Sequence, residues 1–265
     1  MKILFTFPGQ GGQRPGMLAA LPDREAILTQ ARAVLGDEVD TLDSADALQH
    51  TRAVQLCLLI AGVAWARELQ RQGVDPQMVS GLSIGAFPAA VIAGALDFAS
   101  ALRLVALRGD LMEQAYPEGY GLTAIMGLTR PRIEALLQGH EVYLANLNAE
   151  TQFVIAGRDE AMAEVAQLAL RAGASKAQRL AVSVPSHCAL LDKPAAELAM
   201  NMARPVHWQE AMVAADERDA RLAIEMPPGG VLTCLTRQAG WRGETIALER
   251  SGLDVARHLA QRLSD

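Results

Sequence analysis

The sequence predicts an α/β protein: a parallel sheet covered by helices, into which a small βαββαβ subdomain is inserted. Three observations predict this class. Short apolar runs that end in glycine-rich turns alternate with longer helical patterns, an order typical of a parallel sheet. One such turn, residues 81–85, joins an apolar run to an Ala-rich helical segment. From Tyr120 onward the pattern changes to the order of strands and helices found in ferredoxin-like units.

The first half of the chain supplies the elements of the large domain. Ile3 to Phe7 is an apolar run that we expect to form a buried strand, and the glycine-rich loop 8–13 ends it. A second short strand ends at Gly81, and Pro88 is expected to bend the next helix or tighten its first turns. Helical patterns are predicted at about Asp23 to Leu35 and Thr51 to Gln72. Two more helices are predicted after these: one from the turn at Ser83 to about Ala93, and one that has Asp97 as its N-cap and runs to about Ala115.

Residues 120–183 carry the predicted ferredoxin-like subdomain. Its strands and helices are predicted at Leu122 to Met126, Arg130 to Leu137, Val142 to Leu144, Gln152 to Ala156, Asp159 to Ala172 and Lys176 to Val182. The large catalytic domain comprises residues 1–119 and 184–265. Its second part contains a helix at about Lys193 to Met202 and a strand at Arg221 to Glu225.

Length and composition exclude several function classes. With 265 residues, 51% of them hydrophobic and 20% charged, the chain has the composition of a globular protein with a sizeable core. Its net charge of -6 speaks against general nucleic-acid binding, which needs a basic face. No apolar run reads as a signal peptide or a membrane span, so we expect a cytoplasmic protein. The cysteines have no ligand spacing, so neither a metal site nor a disulfide framework is expected.

Ser83, in the sequence Gly81-Leu82-Ser83-Ile84-Gly85, is the candidate nucleophile. A G-x-S-x-G turn between a strand and a helix leaves no room for side chains two residues either side of the serine, which explains both glycines. The serine is held exposed beside the first N–H groups of the next helix, which carry a partial positive charge and stabilise an oxyanion. This geometry is suited to acyl transfer.

A serine nucleophile needs a base, and the chain offers five histidines. His187 follows an apolar strand and Pro185, so a loop at the end of the sheet would place it near a nucleophile at that end. The alternative for His187 is a loop histidine bonded to the backbone. His207 is the second candidate, whereas His140 and His258 have the setting of surface residues.

Arg108 is the second informative residue, because it falls in the middle of the apolar stripe of the helix that begins near Asp97. A guanidinium there needs an anionic or carbonyl partner, and its planar fork suits a carboxylate. Two interpretations remain open: a bound ligand, or an internal Asp or Glu. The loop from Gly9 to Gln13 does not fit dinucleotide binding, because Arg14 stands where a glycine is required. A turn whose N–H groups approach a reacting carbonyl fits it better.

Five motifs together resemble the malonyl-CoA:acyl-carrier-protein transacylase family, in the family's order and along nearly the whole chain. They are Phe7-Pro8-Gly9-Gln10-Gly11-Gly12-Gln13, Gly81-Leu82-Ser83-Ile84-Gly85, Arg108-Gly109 with Met112, Val184-Pro185-Ser186-His187, and Pro228-Gly229 with Val231-Leu232-Thr233. The resemblance implies an α/β-hydrolase-like large domain with a ferredoxin-like insert. It also implies a Ser-His dyad that needs no carboxylate to orient the histidine.

The resemblance further implies roles for six residues. Ser83 and His187 are implied to be the catalytic residues. The backbone N–H groups of Gln10 and Ile84 are implied to form an oxyanion hole, and Arg108 and Gln55 to bind the substrate. In this scheme Arg108 clamps the free carboxylate of a malonyl group. Gln55 matches a pocket glutamine, although Leu56 replaces the proline that commonly follows it.

Departures from the family pattern point to a branch within it. Leu82 and Ala86 replace a histidine and a glutamate that often flank the motif, but neither position reacts. Between His187 and residues 205–208 the family normally has an additional strand and connection, which this chain lacks. The shortening resembles the malonyltransferase subunit of bacterial malonate decarboxylase, which charges a carrier protein bearing a dephospho-CoA-derived group.

The predicted reaction moves a malonyl group from malonyl-CoA to the prosthetic-group thiol of an acyl carrier protein, through an ester of Ser83. We expect this reaction to take place within malonate decarboxylase and to need no permanently bound cofactor. The alternatives are a transacylase of fatty-acid or polyketide synthesis, a serine hydrolase, and a non-catalytic subunit. The expected partners are the carrier and other malonate decarboxylase subunits, with no membrane or nucleic acid. Arg171, Lys176 and Arg179 are candidate contacts for an acidic carrier.

Overall fold

The computed structural model describes residues 1–116, 118–192 and 202–264. The described strands are β1 (Lys2–Phe7), β2 (Met78–Gly81), β3 (Tyr120–Met126), β4 (Val142–Ala149), β5 (Gln152–Arg158), β6 (Lys176–Arg179), β7 (Ala220–Glu225) and β8 (Glu244–Ala247). The described α-helices are α1 (Arg24–Leu35), α2 (Thr51–Arg71), α3 (Ala86–Ile92), α4 (Phe98–Ala115), α5 (Arg130–Leu137), α6 (Asp159–Arg171), α7 (Trp208–Glu217), α8 (Val231–Gln238), α9 (Leu248–Ser251) and α10 (Leu253–Ser264). The chain divides into two compact units: Met1–Asp110 with Ala211–Asp265, the first unit, and Leu111–Glu210, the second unit.

The first unit is built on a parallel sheet with the strand order β2-β1-β7-β8. Phe5 and Phe7 of β1 are completely buried, as expected for a central strand covered on both faces. β1 runs parallel to β2, and Phe7 lies opposite Gly81 at their carboxyl ends. The glycine-rich loop after β1 and the turn after β2 therefore leave the sheet at the same edge, which is where ligands bind in parallel sheets.

The helices that follow this edge begin as predicted. Ser83–Gly85 forms a 3-10 turn that passes directly into α3. Pro88 is the third residue of α3, within the first turn, where a missing N–H is tolerated. Asp97 caps α4, because its Oδ1 accepts a hydrogen bond from the N–H of Ser100 at 2.8 Å.

The second unit contains an antiparallel sheet with the strand order β4-β5-β3-β6, which with α5 and α6 gives the predicted βαββαβ arrangement. Two strands of this unit, β4 and β6, differ from the predicted length by three residues or more. β4 continues to Ala149, because a bulge between Leu144 and Asn146 lets the ladder extend beyond its apolar part. β6 ends at Arg179, since the chain turns there and the N–H of Val182 bonds back to the Leu180 carbonyl.

The α/β class is confirmed, with one parallel and one separate antiparallel sheet. The compact units divide after Asp110 and after Glu210. The sequence analysis predicts domain boundaries at 119/120 and 183/184, and those boundaries stay a prediction. Except for its last residue, the helix predicted at Lys193 to Met202 lies outside the described residues. In the parts of the chain that the structure describes, no helix has the length and apolar character needed to cross a membrane.

Candidate active site

Ser83 lies in a sharp turn that requires glycine two residues before it and two residues after it. A Cβ at Gly81 would lie 2.1 Å from the carbonyl carbon of Gly85, and one at Gly85 would lie 2.1 Å from the carbonyl oxygen of Phe7. Ser83 itself has a positive φ of 57°. The Leu82 N–H bonds to the Phe7 carbonyl at 3.0 Å and ties the turn to β1. The steric reason predicted for both glycines is therefore visible in the structure.

The glycine-rich loop after β1 runs directly against this turn. A Cβ at Gly9 would lie 3.1 Å from the carbonyl oxygen of Leu82 and 3.7 Å from Cβ of Ser83. Gln10, the next residue, accepts a hydrogen bond at its Oε1 from Nε2 of the buried Gln55 at 3.3 Å. The structure thus brings the loop glutamine, the pocket glutamine and the serine turn into one neighbourhood of the first unit. The assignment of the Gln10 and Ile84 N–H groups to an oxyanion hole stays a prediction.

Arg108 lies in the first unit with its guanidinium at the Ser83 side chain. It is completely buried, and its Nη2 donates a hydrogen bond to Ser83 Oγ at 3.2 Å. Its guanidinium carbon lies 6.0 Å from the centroid of the Phe87 ring. Among the described residues, its Nε and Nη1 have no hydrogen-bond partner. Burial lowers the pKa of Arg108 to about 10, and among the described residues no acidic side chain offsets that effect. The interpretation in which an internal Asp or Glu pairs with this arginine is not supported.

His187 belongs to the second unit, where the backbone fixes its ring. It is 3% exposed and has a φ of 63°. Its N–H bonds to the Met202 carbonyl at 2.7 Å, and its Nδ1 lies 3.1 Å from the Arg204 carbonyl oxygen. A carbonyl oxygen only accepts, so Nδ1 carries the proton and Nε2 of the neutral ring keeps its lone pair. The backbone contact considered for His187 is therefore present, and its role as a base stays a prediction.

Two other predicted candidates have surface settings. The imidazole of His207 pairs with Glu210 at 2.9 Å, and its side chain is 48% exposed. Arg179 is less suited to contact a carrier than the sequence suggested. Its guanidinium forms an ion pair with Asp159 and donates hydrogen bonds to the carbonyls of Tyr120 and Val182. Both side chains are thus engaged by their own unit.

Glu225, at the end of β7, is a buried residue that sequence reasoning missed. Its carboxylate accepts hydrogen bonds from the N–H groups of Leu232 and Thr233, at 3.0 and 2.7 Å, and from the Thr233 hydroxyl at 2.7 Å. Burial raises its pKa, and these hydrogen bonds partly counteract that effect. Glu225 therefore holds the start of α8 against the end of the sheet. Among the described residues, no group of three or more His, Cys, Asp or Glu is placed to hold a metal.

The comparisons with known proteins agree with an acyltransferase site. Residues 4–212 match the acyl transferase domain family. The chain is 36% identical to the malonyl CoA-acyl carrier protein transacylase of Escherichia coli K12 over 89% of this chain and 92% of that protein. The structure of the malonyl CoA-acyl carrier protein transacylase from Coxiella burnetii matches with a TM-score of 0.89 and 30% identity, over 100% of this chain and 98% of the other.

A further solved structure is a malonyl-transacylase in complex with its type II polyketide synthase acyl-carrier protein. It matches with a TM-score of 0.89 and 33% identity, over 98% of this chain and 100% of the other. The serine turn at the edge of a parallel sheet and the matched domain define an acyltransferase. More narrowly, the chain belongs to the malonyl CoA-acyl carrier protein transacylase family. These relatives do not support the malonate decarboxylase branch that the sequence predicted.

Proposed function

We propose that the protein transfers a malonyl group from malonyl-CoA to the prosthetic-group thiol of an acyl carrier protein through an ester of Ser83. One observation carries the proposal. The completely buried Arg108 donates to the nucleophile's oxygen and is paired with no carboxylate among the described residues. A buried cation without an internal counter-charge is costly, and an anionic substrate supplies that counter-charge. Family membership supports the same substrate class.

The short distance between Arg108 and Ser83 favours a three-carbon diacid. Nη2 lies 3.2 Å from Oγ. In a malonyl thioester a single CH₂ separates the carboxylate from the reacting carbonyl, so a carboxylate held by the guanidinium keeps the carbonyl within reach of Oγ. An acetyl group has no carboxylate to hold, and a succinyl group is longer by one CH₂. Binding at Arg108 therefore orients malonyl in preference to both.

In the proposed reaction His187 moves the proton. Its Nε2 takes the Ser83 proton while Oγ attacks the thioester carbonyl, and the oxyanion accepts hydrogen bonds from the N–H groups of Gln10 and Ile84. Collapse breaks the C–S bond, and the CoA sulfur leaves with the proton from His187. The carrier thiol then gives its proton to His187 and attacks the ester carbonyl. The C–O bond to Ser83 breaks, and Oγ leaves with the proton from His187. The Arg204 carbonyl at Nδ1 supports this role, because a proton held at Nδ1 makes Nε2 the acceptor nitrogen of the neutral ring.

The test compares malonyl-CoA with acetyl-CoA as donors to Ser83. Arg108→Ala is expected to slow malonyl transfer about 10- to 150-fold more than acetyl transfer, since only malonyl loses a charge-assisted pair. Arg103→Ala is the matched control, because Arg103 lies on the same helix with an exposed side chain. Equal losses for both donors would remove Arg108 from this role. Absence of a malonyl adduct at Ser83 by mass spectrometry would overturn the whole proposal.

The same incubation distinguishes transfer from hydrolysis. Release of free malonate at the transfer rate without a carrier would identify a hydrolase. Among carriers, the relatives favour one with ordinary phosphopantetheine, as used in fatty-acid or polyketide synthesis. The malonate decarboxylase context rests on the shortened segment after His187. The alignment with the Escherichia coli relative spans 285 positions but covers only 89% of this chain, so it contains gaps, which agrees with a shortening without locating it. Faster loading of a carrier with a dephospho-CoA-derived group would favour that context.

A further inference from the structure

His187 lies in a segment of the second unit that belongs to no strand or α-helix. Residues 180–190, which we call the base segment, follow directly after β6. The backbone of this segment forms tight turns, in which the N–H groups of Val182 and Ser186 bond to the carbonyls two residues earlier, at 2.8 and 2.9 Å. Such local turns do not fix a side chain in space, so the position of His187 depends on contacts from outside the segment.

Arg179 holds the upstream end of the base segment through main-chain carbonyls. Its Nη1 donates to the Val182 carbonyl at 2.8 Å, and its Nη2 donates to the Tyr120 carbonyl at 2.9 Å. A Cβ at Gly121 would collide with the guanidinium, so this glycine leaves the space in which the guanidinium lies. Nε pairs with Asp159 at 2.9 Å. One planar fork of donors thus joins the base segment to β3 and α6, which a lysine ammonium is not shaped to do.

Tyr116 holds the downstream end of the base segment. Its hydroxyl donates to the Leu190 carbonyl at 2.9 Å. Its ring contacts the ring of Tyr120, with the ring centroids 4.5 Å apart. Tyr120 is also the residue whose carbonyl accepts from Arg179. Both ends of the base segment are therefore tied to the same residue of β3, within the second unit, and His187 lies between them.

We infer that Tyr116 and Arg179 are positioning residues that hold His187 in place for proton transfer, an inference that rests on the proposed function. They act on carbonyls of the base segment and so reach the imidazole only through the backbone. The contact that they preserve is the one between Nδ1 and the Arg204 carbonyl at 3.1 Å, which selects the tautomer with a lone pair at Nε2. A misplacement of about 1 Å in a reacting group can cost about 100-fold in rate, so a loosely held base transfers protons poorly.

The test measures kcat/KM for acylation of Ser83 by malonyl-CoA and by acetyl-CoA. Tyr116→Phe keeps the ring and removes the hydrogen bond to Leu190, so it is expected to lower both values about 3- to 10-fold. Arg179→Met is expected to lower both values about 10- to 150-fold, because it removes charge-assisted hydrogen bonds. The ratio of the two values stays unchanged, since His187 serves both donors.

Two matched controls lie in the same unit. Tyr143→Phe removes a hydroxyl from a residue that packs on the same apolar cluster as Leu180 of the base segment. Arg130→Met removes a guanidinium that pairs with Glu134 on its own helix. Both controls are expected to keep the wild-type values with both donors.

The ¹⁵N resonances of the His187 ring, recorded at a pH at which the ring is neutral, separate positioning from a general loss of structure. In wild-type protein the proton is expected at Nδ1, and in Tyr116→Phe a population with the proton at Nε2 is expected to appear. A rate loss with the wild-type tautomer, or a loss confined to malonyl-CoA, overturns the inference. A folded variant with unchanged rates overturns it for the residue concerned, and Tyr116→Phe decides if Arg179→Met does not fold. Acylation of Ser83 at the wild-type rate in His187→Ala would instead overturn the proposed function.

Discussion

Replacing Arg108 by methionine is expected to stabilise the fold while it removes malonyl binding. Burial lowers the pKa of this guanidinium from its ordinary value to about 10. One pKa unit corresponds to about 1.4 kcal/mol, so the buried cation costs the folded state about 3 kcal/mol at pH 7. The folded pKa is the lower one, so the full cost is present below pH 10 and is relieved as pH rises above that value.

Two contacts offset part of this cost. The hydrogen bond to Ser83 Oγ at 3.2 Å and the Phe87 ring at 6.0 Å each contribute roughly 0.5–1.5 kcal/mol. Methionine fills much of the same volume with an apolar chain and needs neither contact. The net gain expected for Arg108→Met is about 1 kcal/mol, which raises the melting temperature by about 2–4 °C in a domain of this size.

Urea unfolding with and without malonate measures both effects. Wild-type protein is expected to gain stability from malonate, because the anion binds only the folded state, and Arg108→Met is expected to gain none. Arg103→Met, exposed on the same helix, serves as the control and leaves both properties unchanged. A loss of about 3 kcal/mol or more in Arg108→Met would refute the reasoning, since it is the result expected when a buried ion pair loses one member.

Three further predictions follow from individual contacts. Phe87→Leu is expected to narrow the preference for malonyl over acetyl about 2- to 10-fold, while Phe87→Tyr keeps it, as steady-state assays with both donors would show. Gly109→Ala is expected to cost more than about 2 kcal/mol in urea unfolding, because its Cβ would lie 2.4 Å from Cα of Arg52. The raised pKa of Glu225 contributes stability that is full below about pH 4.5 and is lost as pH rises through the folded pKa. The stability of wild-type protein relative to Glu225→Gln should therefore increase as pH is lowered from 8 to 5, and a pH-independent difference would contradict this.

The parts of the fold that local sequence determines were predictable. β1 is apolar except for Lys2 and Thr6, and the glycines at 81 and 85 are required by contacts within a few residues or with the adjoining strand. β8 and the second half of β4 were missed. β8 has only four residues, and β4 continues through two asparagines that look like a loop in sequence. Their strand conformation depends on pairing with distant segments, which an apolar pattern does not report.

The candidate site also contains residues that the sequence identifies and residues that only the structure reveals. Ser83 and Arg108 could be selected because one lies in a short motif and the other in an apolar helical stripe. The partner of Arg108 could not be decided, since it depends on which acidic residues the fold brings near it. Glu225 and Tyr116 carry no distinctive spacing. Their contacts become visible only when burial and hydrogen bonding are known.

The backbone gives evidence for the site that does not depend on any motif. Among the described residues, the non-glycine residues with positive φ are Asp23, Ser83, His187 and Asp219. Aspartate and histidine adopt this conformation more often than other non-glycine residues, whereas for serine it costs roughly 1–2 kcal/mol. Such strain persists only where the surrounding structure enforces it, and it is concentrated at functional sites.

In the first unit the Leu82 N–H bond to β1 enforces the Ser83 turn, and in the second the Met202 carbonyl holds His187. The proposed nucleophile and base are thus both held in a backbone conformation that non-glycine residues rarely adopt, and the proposed anion-binding Arg108 is held as a buried cation, which is costly. That coincidence is what a fold selected for reaction chemistry, rather than for stability alone, is expected to show.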